Sequence, residues 1–324
     1  MVENKISNIL IISIVDRNPD SDRLYSFLGT ECNLKILKLT RTQAKVFYSY
    51  LHPHDCDSYD RVLLDIPFRL VYPHAKKLRK IKKLVFIEED TCQNYIRSSR
   101  WFGKYVEFYK SLPNARVLVT SEFVKEEFKK KGIDAINVSK AFDEFIIVNK
   151  KIPRKIKFGF VGRIKSNVYA ERKIALNKIA KLIPLETLRA KPGEEYNLLL
   201  NKITYFISAD FGLGEYMVKN FEALAAGCLL CAVYIPSEFS YLGFKDMENV
   251  VLYSSAEELL EKINYIESNV DSKVEIIKNG LLLAQNFTFE RHAKKIHQAL
   301  SVDISDIREH DSKFKTFLRF VGVS

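Results

Sequence analysis

The glycine-containing segment of residues 210–227 has the composition of an anion-binding loop that leads into a helix. Its sequence is DFGLGEYMVKNFEALAAG, with two glycines ahead of a predicted helix of small residues. The first N–H groups of a helix have no partner within it and carry partial positive charge, so they can bind a phosphate. Lys219 adds a mobile positive charge, and Glu222 can accept hydrogen bonds from the vicinal hydroxyls of a ribose. The alternative is a capped helix that packs through its alanines.

Three carboxylates follow a predicted strand of the first half. Glu88, Glu89 and Asp90 come directly after the apolar segment KKLVFI. A carboxylate at the carboxyl end of a strand could orient or deprotonate a substrate hydroxyl. Asp90 could equally be the N-cap of a helix that begins at Thr91.

Strands alternate with helices along both halves of the chain, which predicts an α/β protein with parallel sheets. The predicted strands are NILIISIV, LKILKL, YDRVLLDIP, KKLVFIEED, RVLVTS, AINVSKAF, KIKFGFVGRI, KITYFISAD and CLLCAVYI. The polar stretch NKKIPRKIK, residues 149–157, has the composition of a linker. We predict Rossmann-like domains over residues 1–150 and 151–300, with a helical segment, 301–324, that packs back toward the first domain. Ligands of such sheets bind at the carboxyl ends of the strands, here in the cleft between the domains.

The composition is typical of a globular enzyme, with 47% apolar and 28% charged residues. No stretch approaches the roughly 20 apolar residues of a membrane-spanning helix, and the N-terminus lacks the pattern of a secretion signal. We therefore expect a cytoplasmic protein. Five scattered cysteines predict reduced thiols, and Cys228 and Cys231 lie in an apolar run that is typical of a buried strand.

The formal net charge of +11 favours anionic partners such as nucleic acid, anionic lipid or phosphorylated small molecules. Residues 1–150 carry 26 Lys and Arg against 19 Asp and Glu, a net +7, which leaves +4 for residues 151–324. No zinc-finger spacing or RNA-binding motif accompanies this charge, which argues against a nucleic-acid partner.

A basic run of the first half, AKKLRKIKKL, contains six Lys and Arg between Lys76 and Lys83. Leu78, Ile81 and Leu84 are spaced as on one face of a helix, and a basic amphipathic helix could bind an anionic membrane surface. A helix that covers the sheet and exposes a solvated basic face is the alternative. The chain could therefore be peripheral to the inner face of a membrane.

Several segments of the second half resemble the retaining GT-B glycosyltransferases of family 4, and most closely their CgeB-like branch. The helix FEALAAG after a glycine-containing loop resembles the donor-binding segment of that family. The strand FGFVGRI and the segments SSAEELLEKINYI and NGLLLAQNFTFERHAKKI extend the resemblance to nearly all of residues 156–300. In the first half, VFIEEDTCQNYI and the α/β pattern support it.

The resemblance implies a GT-B fold, with two Rossmann-like domains that face a central cleft. It implies transfer of a sugar from a UDP- or GDP-linked donor to a glycan or lipid-linked acceptor, in bacterial surface polysaccharide or lipopolysaccharide synthesis. The reaction would retain configuration and use neither a metal nor a cofactor other than the donor. Another GT-B enzyme, such as an inverting transferase or a nucleotide-sugar epimerase, is the alternative function.

The resemblance also implies roles for individual residues. Glu222 corresponds to the glutamate that binds the ribose, and Arg163 or Lys165 to the basic residue that meets the diphosphate. The paired glutamates of the family are separated by seven residues, whereas six separate Glu215 from Glu222, so that Gly214 has the expected position of the first. The predicted donor-binding residues are Arg163, Lys165, Gly214, Lys219, Asn220 and Glu222, and the predicted catalytic residues are Glu215, Asp90 and Glu89.

Overall fold

A computed structural model describes residues 6–15, 21–51, 53–165 and 167–304. The first half forms a six-stranded parallel sheet in the order β2-β1-β3-β4-β5-β6. Its strands are β1 (Asn8–Ile14), β2 (Asn33–Leu39), β3 (Arg61–Asp65), β4 (Leu84–Glu88), β5 (Ala115–Val119) and β6 (Asp134–Asn137). Strands β3, β4 and β5 are buried along their whole length, as expected of a parallel sheet that is covered on both faces.

The second half forms a five-stranded parallel sheet in the order β11-β10-β9-β7-β8. Its strands are β7 (Ile156–Val161), β8 (Leu185–Leu188), β9 (Ile203–Ile207), β10 (Leu229–Val233) and β11 (Val251–Tyr253). Cys228 and Cys231 are buried at and within β10, as predicted. The two sheets confirm the predicted α/β class with two parallel-sheet domains.

Helices connect the strands and cover both sheets. The helices of the first half are α1 (Ser21–Glu31), α2 (Arg41–Ala44), α3 (Pro53–Cys56), α4 (Phe68–Val71), α5 (Ala75–Leu78), α6 (Lys104–Lys110) and α7 (Glu122–Lys130). Those of the second half are α8 (Ala170–Ile179), α9 (Glu194–Asn201), α10 (Lys219–Ala225), α11 (Ala256–Ser268), α12 (Val270–Ala284) and α13 (Phe289–Ser301). Short 3₁₀ helices span Phe47–Tyr50, Tyr72–His74, Thr91–Asn94, Asn167–Tyr169 and Gln285–Phe287.

Each sheet contains a point at which the order of the strands reverses. In the first sheet the chain places β2 on one side of β1 and β3 on the other. In the second sheet β8 and β9 flank β7 in the same way. Loops that leave such neighbouring strands in opposite directions open a crevice at the carboxyl ends, which is where ligands of open α/β sheets bind.

Helix α13 crosses from the second half to the first domain and packs beside α1. Its apolar residues, among them Phe289, Ile296 and Leu300, share one core with Leu28 of α1 and the sheet. At its end, Arg116 of β5 donates hydrogen bonds to the carbonyl oxygens of Ala299, Val302 and Asp303, at 2.6–2.8 Å. These arginine bonds satisfy carbonyls that the last turn leaves without helical partners. The predicted C-terminal segment continues beyond this point, and its residues 305–324 lie outside the described residues.

The basic run of the first half does not form the predicted amphipathic helix. Helix α5 ends at Leu78 after four residues, and Lys83 has a positive φ of 57° directly before β4. Leu78, Ile81 and Leu84 are all buried in the core of the first domain. The apolar spacing therefore reflects sheet packing, while the basic side chains of the run are exposed. No helix in the described part of the chain is long and apolar enough to cross a membrane.

Candidate active site

A cleft of about 640 Å³ lies between the two domains, at the carboxyl ends of the strands. The second domain contributes the loop after β7, the loop after β8 and the start of α10. The first domain contributes the residues that follow β4 and β6. The cleft thus meets the reversal point of the second sheet, where the fold favours ligand binding.

Basic side chains dominate the second-domain wall of this cleft. Among the described residues that line this wall, the basic ones are Arg163, Arg172, Arg189 and Lys219, and the one carboxylate is that of Glu222. Such a concentration of positive charge in a partly enclosed cleft favours an anion as large as a diphosphate. Lys165, predicted beside Arg163, is exposed and does not line the cleft.

The Lys219 ammonium lies across the end of strand β7. Its Nζ donates a hydrogen bond to the carbonyl oxygen of Val161 at 2.7 Å. A Cβ added to Gly162 would lie 2.7 Å from the Phe160 ring and 2.8 Å from this nitrogen, so a larger residue here would require one of these side chains to move. Burial lowers the pKa of Lys219 to about 8, and the positive charges of Arg172 and Arg163 also lower it. A bound anion would favour the charged form of the lysine.

Asp210 fixes the glycine-containing loop from beneath. Its carboxylate pairs with Arg172 at 2.8 Å and accepts hydrogen bonds from the Met217 N–H at 3.0 Å and the Asn220 side chain at 2.8 Å. Arg172 in turn donates to the carbonyl oxygen of Arg163. The predicted donor-binding residue Asn220 is fully buried and turned toward Asp210. It therefore shapes the loop from inside the domain.

Glu222 lies on the cleft wall within the first turn of α10, as predicted. The hydroxyl of Tyr196, from α9, donates a hydrogen bond to its Oε2 at 2.8 Å. Burial raises the pKa of Tyr196, with a further contribution from Glu222, so the tyrosine stays a neutral donor. A carboxylate held in this way is oriented before any ligand arrives.

Glu215 does not line the cleft but lies buried between the domains. It forms an ion pair with Lys140 of the first domain, at 3.0 Å, and accepts a hydrogen bond from Thr120 at 3.0 Å. Gly214 adopts a positive φ of 68°, and a Cβ there would face Phe123 of α7 at 3.7 Å. Both residues thus belong to the contact between the domains.

A second carboxylate of the second domain binds the start of helix α7. Glu238 accepts hydrogen bonds from the Ser121 hydroxyl at 2.8 Å and from the N–H groups of Phe123 at 2.9 Å and Glu122 at 3.2 Å. Negative charge at a helix N-terminus is stabilising, because the N–H groups there lack helical partners. Together with the pair of Glu215 and Lys140, this contact fixes the positions of the two walls of the cleft relative to each other.

A smaller cavity of about 370 Å³ opens at the reversal point of the first sheet. The aromatic side chains of Phe68, Trp101 and Tyr105 form part of its wall, with the rings of Phe68 and Tyr105 stacked at 3.7 Å. Glu89 and Asp90 line both this cavity and the interdomain cleft, so the two spaces adjoin. Asp90 has the N-cap position of the 3₁₀ helix without a side-chain capping bond.

Apart from Lys165, the structure assembles the predicted residues into three groups. The second-domain wall of the cleft contains Arg163, Lys219 and Glu222. The junction of the two cavities contains Glu89 and Asp90. The remaining residues are Glu215 and Gly214, which lie in the contact between the domains, and Asn220, which is buried inside the second domain. The residues that the sequence did not single out are Lys140, Arg172, Arg189, Tyr196 and Glu238. Lys140 lies near the end of the predicted strand AINVSKAF and Asp210 ends the predicted strand KITYFISAD, which was a usable signal, whereas Arg189 follows the unpredicted strand β8.

Residues 153–298 match the family described as glycosyl transferase-like. No curated protein matches the sequence. Among solved structures, Anabaena HepE in complex with UDP and glucose is similar at a TM-score of 0.65 and 12% identity, with 91% of this chain and 99% of that chain covered. Sucrose-phosphate synthase from Thermosynechococcus elongatus gives a TM-score of 0.63 at 13% identity, over 90% and 98%. A glycosyltransferase from Rickettsia africae gives 0.59 at 13%, over 92% and 99%.

These likenesses confirm the predicted GT-B fold over nearly the whole chain. The family match confirms the prediction of a glycosyltransferase-type enzyme domain in the second half.

Proposed function

We propose that this glycosyltransferase-like protein of GT-B fold transfers a sugar from a nucleoside diphosphate donor to a hydroxyl group of a glycan or lipid-linked acceptor. The observation that carries the proposal is the second-domain wall of the cleft. Four cations for a diphosphate and one oriented carboxylate for a ribose lie on that wall, at the reversal point of the sheet. The complex of Anabaena HepE, which has a similar fold, with UDP and glucose supports a nucleotide-linked donor.

The diphosphate lies, in this proposal, against Lys219 and Arg163 near Gly162. Negative charge develops on the diphosphate as its bond to the sugar breaks, and cations fixed in a partly dry cleft stabilise it at that moment. Because Arg172 is held by Asp210 and by the carbonyl of Arg163, the cationic group needs little rearrangement. We propose that these cations neutralise the diphosphate in place of a metal ion.

The ribose lies against Glu222. Its carboxylate can accept hydrogen bonds from two vicinal hydroxyls while Tyr196 fixes its direction. UDP and GDP both fit this chemistry, since the base is not read by these groups.

The acceptor hydroxyl enters from the smaller cavity of the first domain. Glu89 and Asp90 lie where the two cavities adjoin and are placed to orient the hydroxyl or take its proton. We assign to Glu215 a positioning role, because its buried carboxylate holds Lys140 and not the substrate. We further propose retention of configuration and an acceptor of bacterial surface polysaccharide or lipopolysaccharide synthesis, in line with the resemblance of the donor-binding segment.

The test is a thermal-shift and calorimetric panel of UDP, GDP, ADP and pyrophosphate. A ligand at 100 times its Kd stabilises the folded protein by about 2.7 kcal/mol, so at least one nucleoside diphosphate should raise the Tm. Glu222→Ala should weaken that nucleotide and leave pyrophosphate unchanged, because only the ribose contact is lost. If no nucleoside diphosphate binds the intact protein, the proposal is wrong.

We also propose that the first domain binds an anionic membrane surface through the basic run, Lys76 to Lys83. Its six basic side chains are exposed, and because its leucines and isoleucine are buried the attraction is electrostatic. Binding to anionic vesicles should weaken with salt, since screening lengths shorten to about 8 Å at physiological ionic strength. Charge reversal of Lys76, Lys77, Lys80 and Lys83 should abolish flotation with vesicles without changing nucleotide affinity. Equal flotation with neutral vesicles would contradict this proposal.

A further inference from the structure

Lys140 of the first domain lies where the two cavities meet. It follows β6, and its side chain lines both the interdomain cleft and the smaller cavity. The side chain is only 8% exposed, which is unusual for a lysine. Because burial disfavours a charged ammonium, an interaction must maintain the charge of Lys140 between the two cavities.

The charge of Lys140 is maintained by the buried carboxylate of Glu215. Burial lowers the pKa of the ammonium, but the attraction of Glu215 at 3.0 Å, together with smaller contributions from Cys92 and Asp90, outweighs it, so the pKa of Lys140 is raised. Thr120 donates a hydrogen bond to the other oxygen of Glu215, which fixes the direction of the carboxylate. Glu215 belongs to the second domain and Lys140 to the first, so the ammonium takes its position only when the domains are together.

The ammonium has hydrogen-bonding capacity beyond this pair. A lysine has three N–H donors, and its contacts among the described residues are Glu215 and a long, weak one to the Met217 sulfur at 3.9 Å. Asp90 is close enough to contribute to the pKa values of both Lys140 and Glu215. Lys140 therefore lies between the acceptor-side carboxylate and the donor cleft, with donors to offer to a ligand.

We infer that Lys140 holds the sugar that is transferred, by donating a hydrogen bond from Nζ to a hydroxyl of the donor's sugar ring. The inference rests on the proposed function and deepens it. The second domain binds the nucleotide, and the first domain recognises the sugar through this single charged donor. Glu215 is the positioning residue, which acts through Lys140.

The experiment separates the sugar contact from the structural part of the ion pair. Lys140→Met alone leaves Glu215 buried and unpaired and should destabilise the fold. The double variant Lys140→Met with Glu215→Leu removes both charges and should recover the Tm, because buried ion pairs are often replaceable by apolar side chains. The control is Lys125→Met with Glu122→Leu, a partly buried pair on α7 that lines neither cavity.

Calorimetry compares UDP with UDP-glucose and GDP with GDP-mannose on each protein. The double variant should bind the nucleoside diphosphate within roughly twofold of the unmodified protein and the matching nucleotide sugar roughly tenfold more weakly. An unchanged ratio of the two affinities in a folded double variant would overturn the inference alone. Failure of the unmodified protein to bind any of the four nucleotides or ADP would overturn the proposed function, and the inference with it.

Discussion

The two walls of the active-site region carry opposite charge, and the contrast runs against the charge of the halves that form them. The described residues of the second-domain wall include four cations and one carboxylate, although the second half has only +4 of the net +11. The described lining of the smaller cavity includes four carboxylates, Asp65, Glu88, Glu89 and Asp90, against Arg69 and Lys140, although the first half carries +7.

The difference shows that the charge of a site is set by strand-end residues and not by the composition of the domain. The basic run of the first half lies on its outer surface, away from the carboxyl ends of the sheet. In the second half, by contrast, Arg163, Arg189 and Lys219 all follow or flank strand ends that meet at one crevice. A cationic donor wall and an acidic acceptor wall suit a leaving diphosphate and a hydroxyl that must lose a proton.

The largest expected effect is on turnover, and it comes from a carboxylate that lines the smaller cavity. Asp90→Asn removes a carboxylate at the junction of the cavities and should lower kcat by about a hundredfold or more, if Asp90 takes or orients the acceptor proton. Nucleoside diphosphate affinity should stay unchanged, because Asp90 is on the opposite wall. Glu126→Gln on the exposed face of α7 is the matched control. If Asp90→Asn has the turnover of the unmodified protein, Asp90 does not take or orient the acceptor proton, and we would assign that role to Glu89.

A substitution in the second-domain wall should change the affinity for the diphosphate. Lys219→Met removes one charged donor and should weaken both pyrophosphate and nucleoside diphosphates by about 1.5–3 kcal/mol, roughly ten- to a hundredfold in Kd. Lys278→Met, on the exposed face of α12, removes the same charge elsewhere and should have no effect. Equal affinities of these two variants in calorimetry would place the diphosphate elsewhere.

The contrast between the walls also depends on the contact that holds them together. Glu238→Ala leaves the Ser121 hydroxyl and two N–H groups of α7 without their carboxylate and should lower the free energy of unfolding by about 1–3 kcal/mol. Glu258→Ala removes a comparable but exposed carboxylate from the start of α11, within one domain, and should cost less. Denaturant unfolding measures both, and equal losses would count against a special role of the interdomain contact.

The smallest effect is a pH dependence of binding. Lys219 has a pKa of about 8, so it is mostly charged at pH 7 and mostly neutral at pH 9. Because a bound diphosphate favours the charged form, Kd should rise over this range by up to about tenfold. Lys219→Met should retain only the pH dependence of the ligand itself. A parallel pH profile in both proteins would exclude Lys219 as the titrating group.

Local sequence patterns predicted most of the fold. The apolar segments that became β1, β3, β4, β5, β7, β9 and β10 are strong because central parallel strands are buried on both faces. The short edge strands β8 and β11, with four and three residues, had no such signal. The spacing of Leu78, Ile81 and Leu84 favoured a helix, because apolar periodicity cannot distinguish a short turn that packs on a sheet from an amphipathic helix.

The sequence by itself determined the α/β class, the two parallel-sheet domains and the location of Glu222 in the first turn of a helix, because these depend on local periodicity and capping. Only the tertiary structure decided which charges face each other. Nothing in the sequence pairs Glu215 with Lys140 or Glu238 with Ser121, because these partners lie 75 and 117 residues away. Contacts of that kind depend on how two domains pack, since electrostatic energy falls with distance in space and not with separation along the chain.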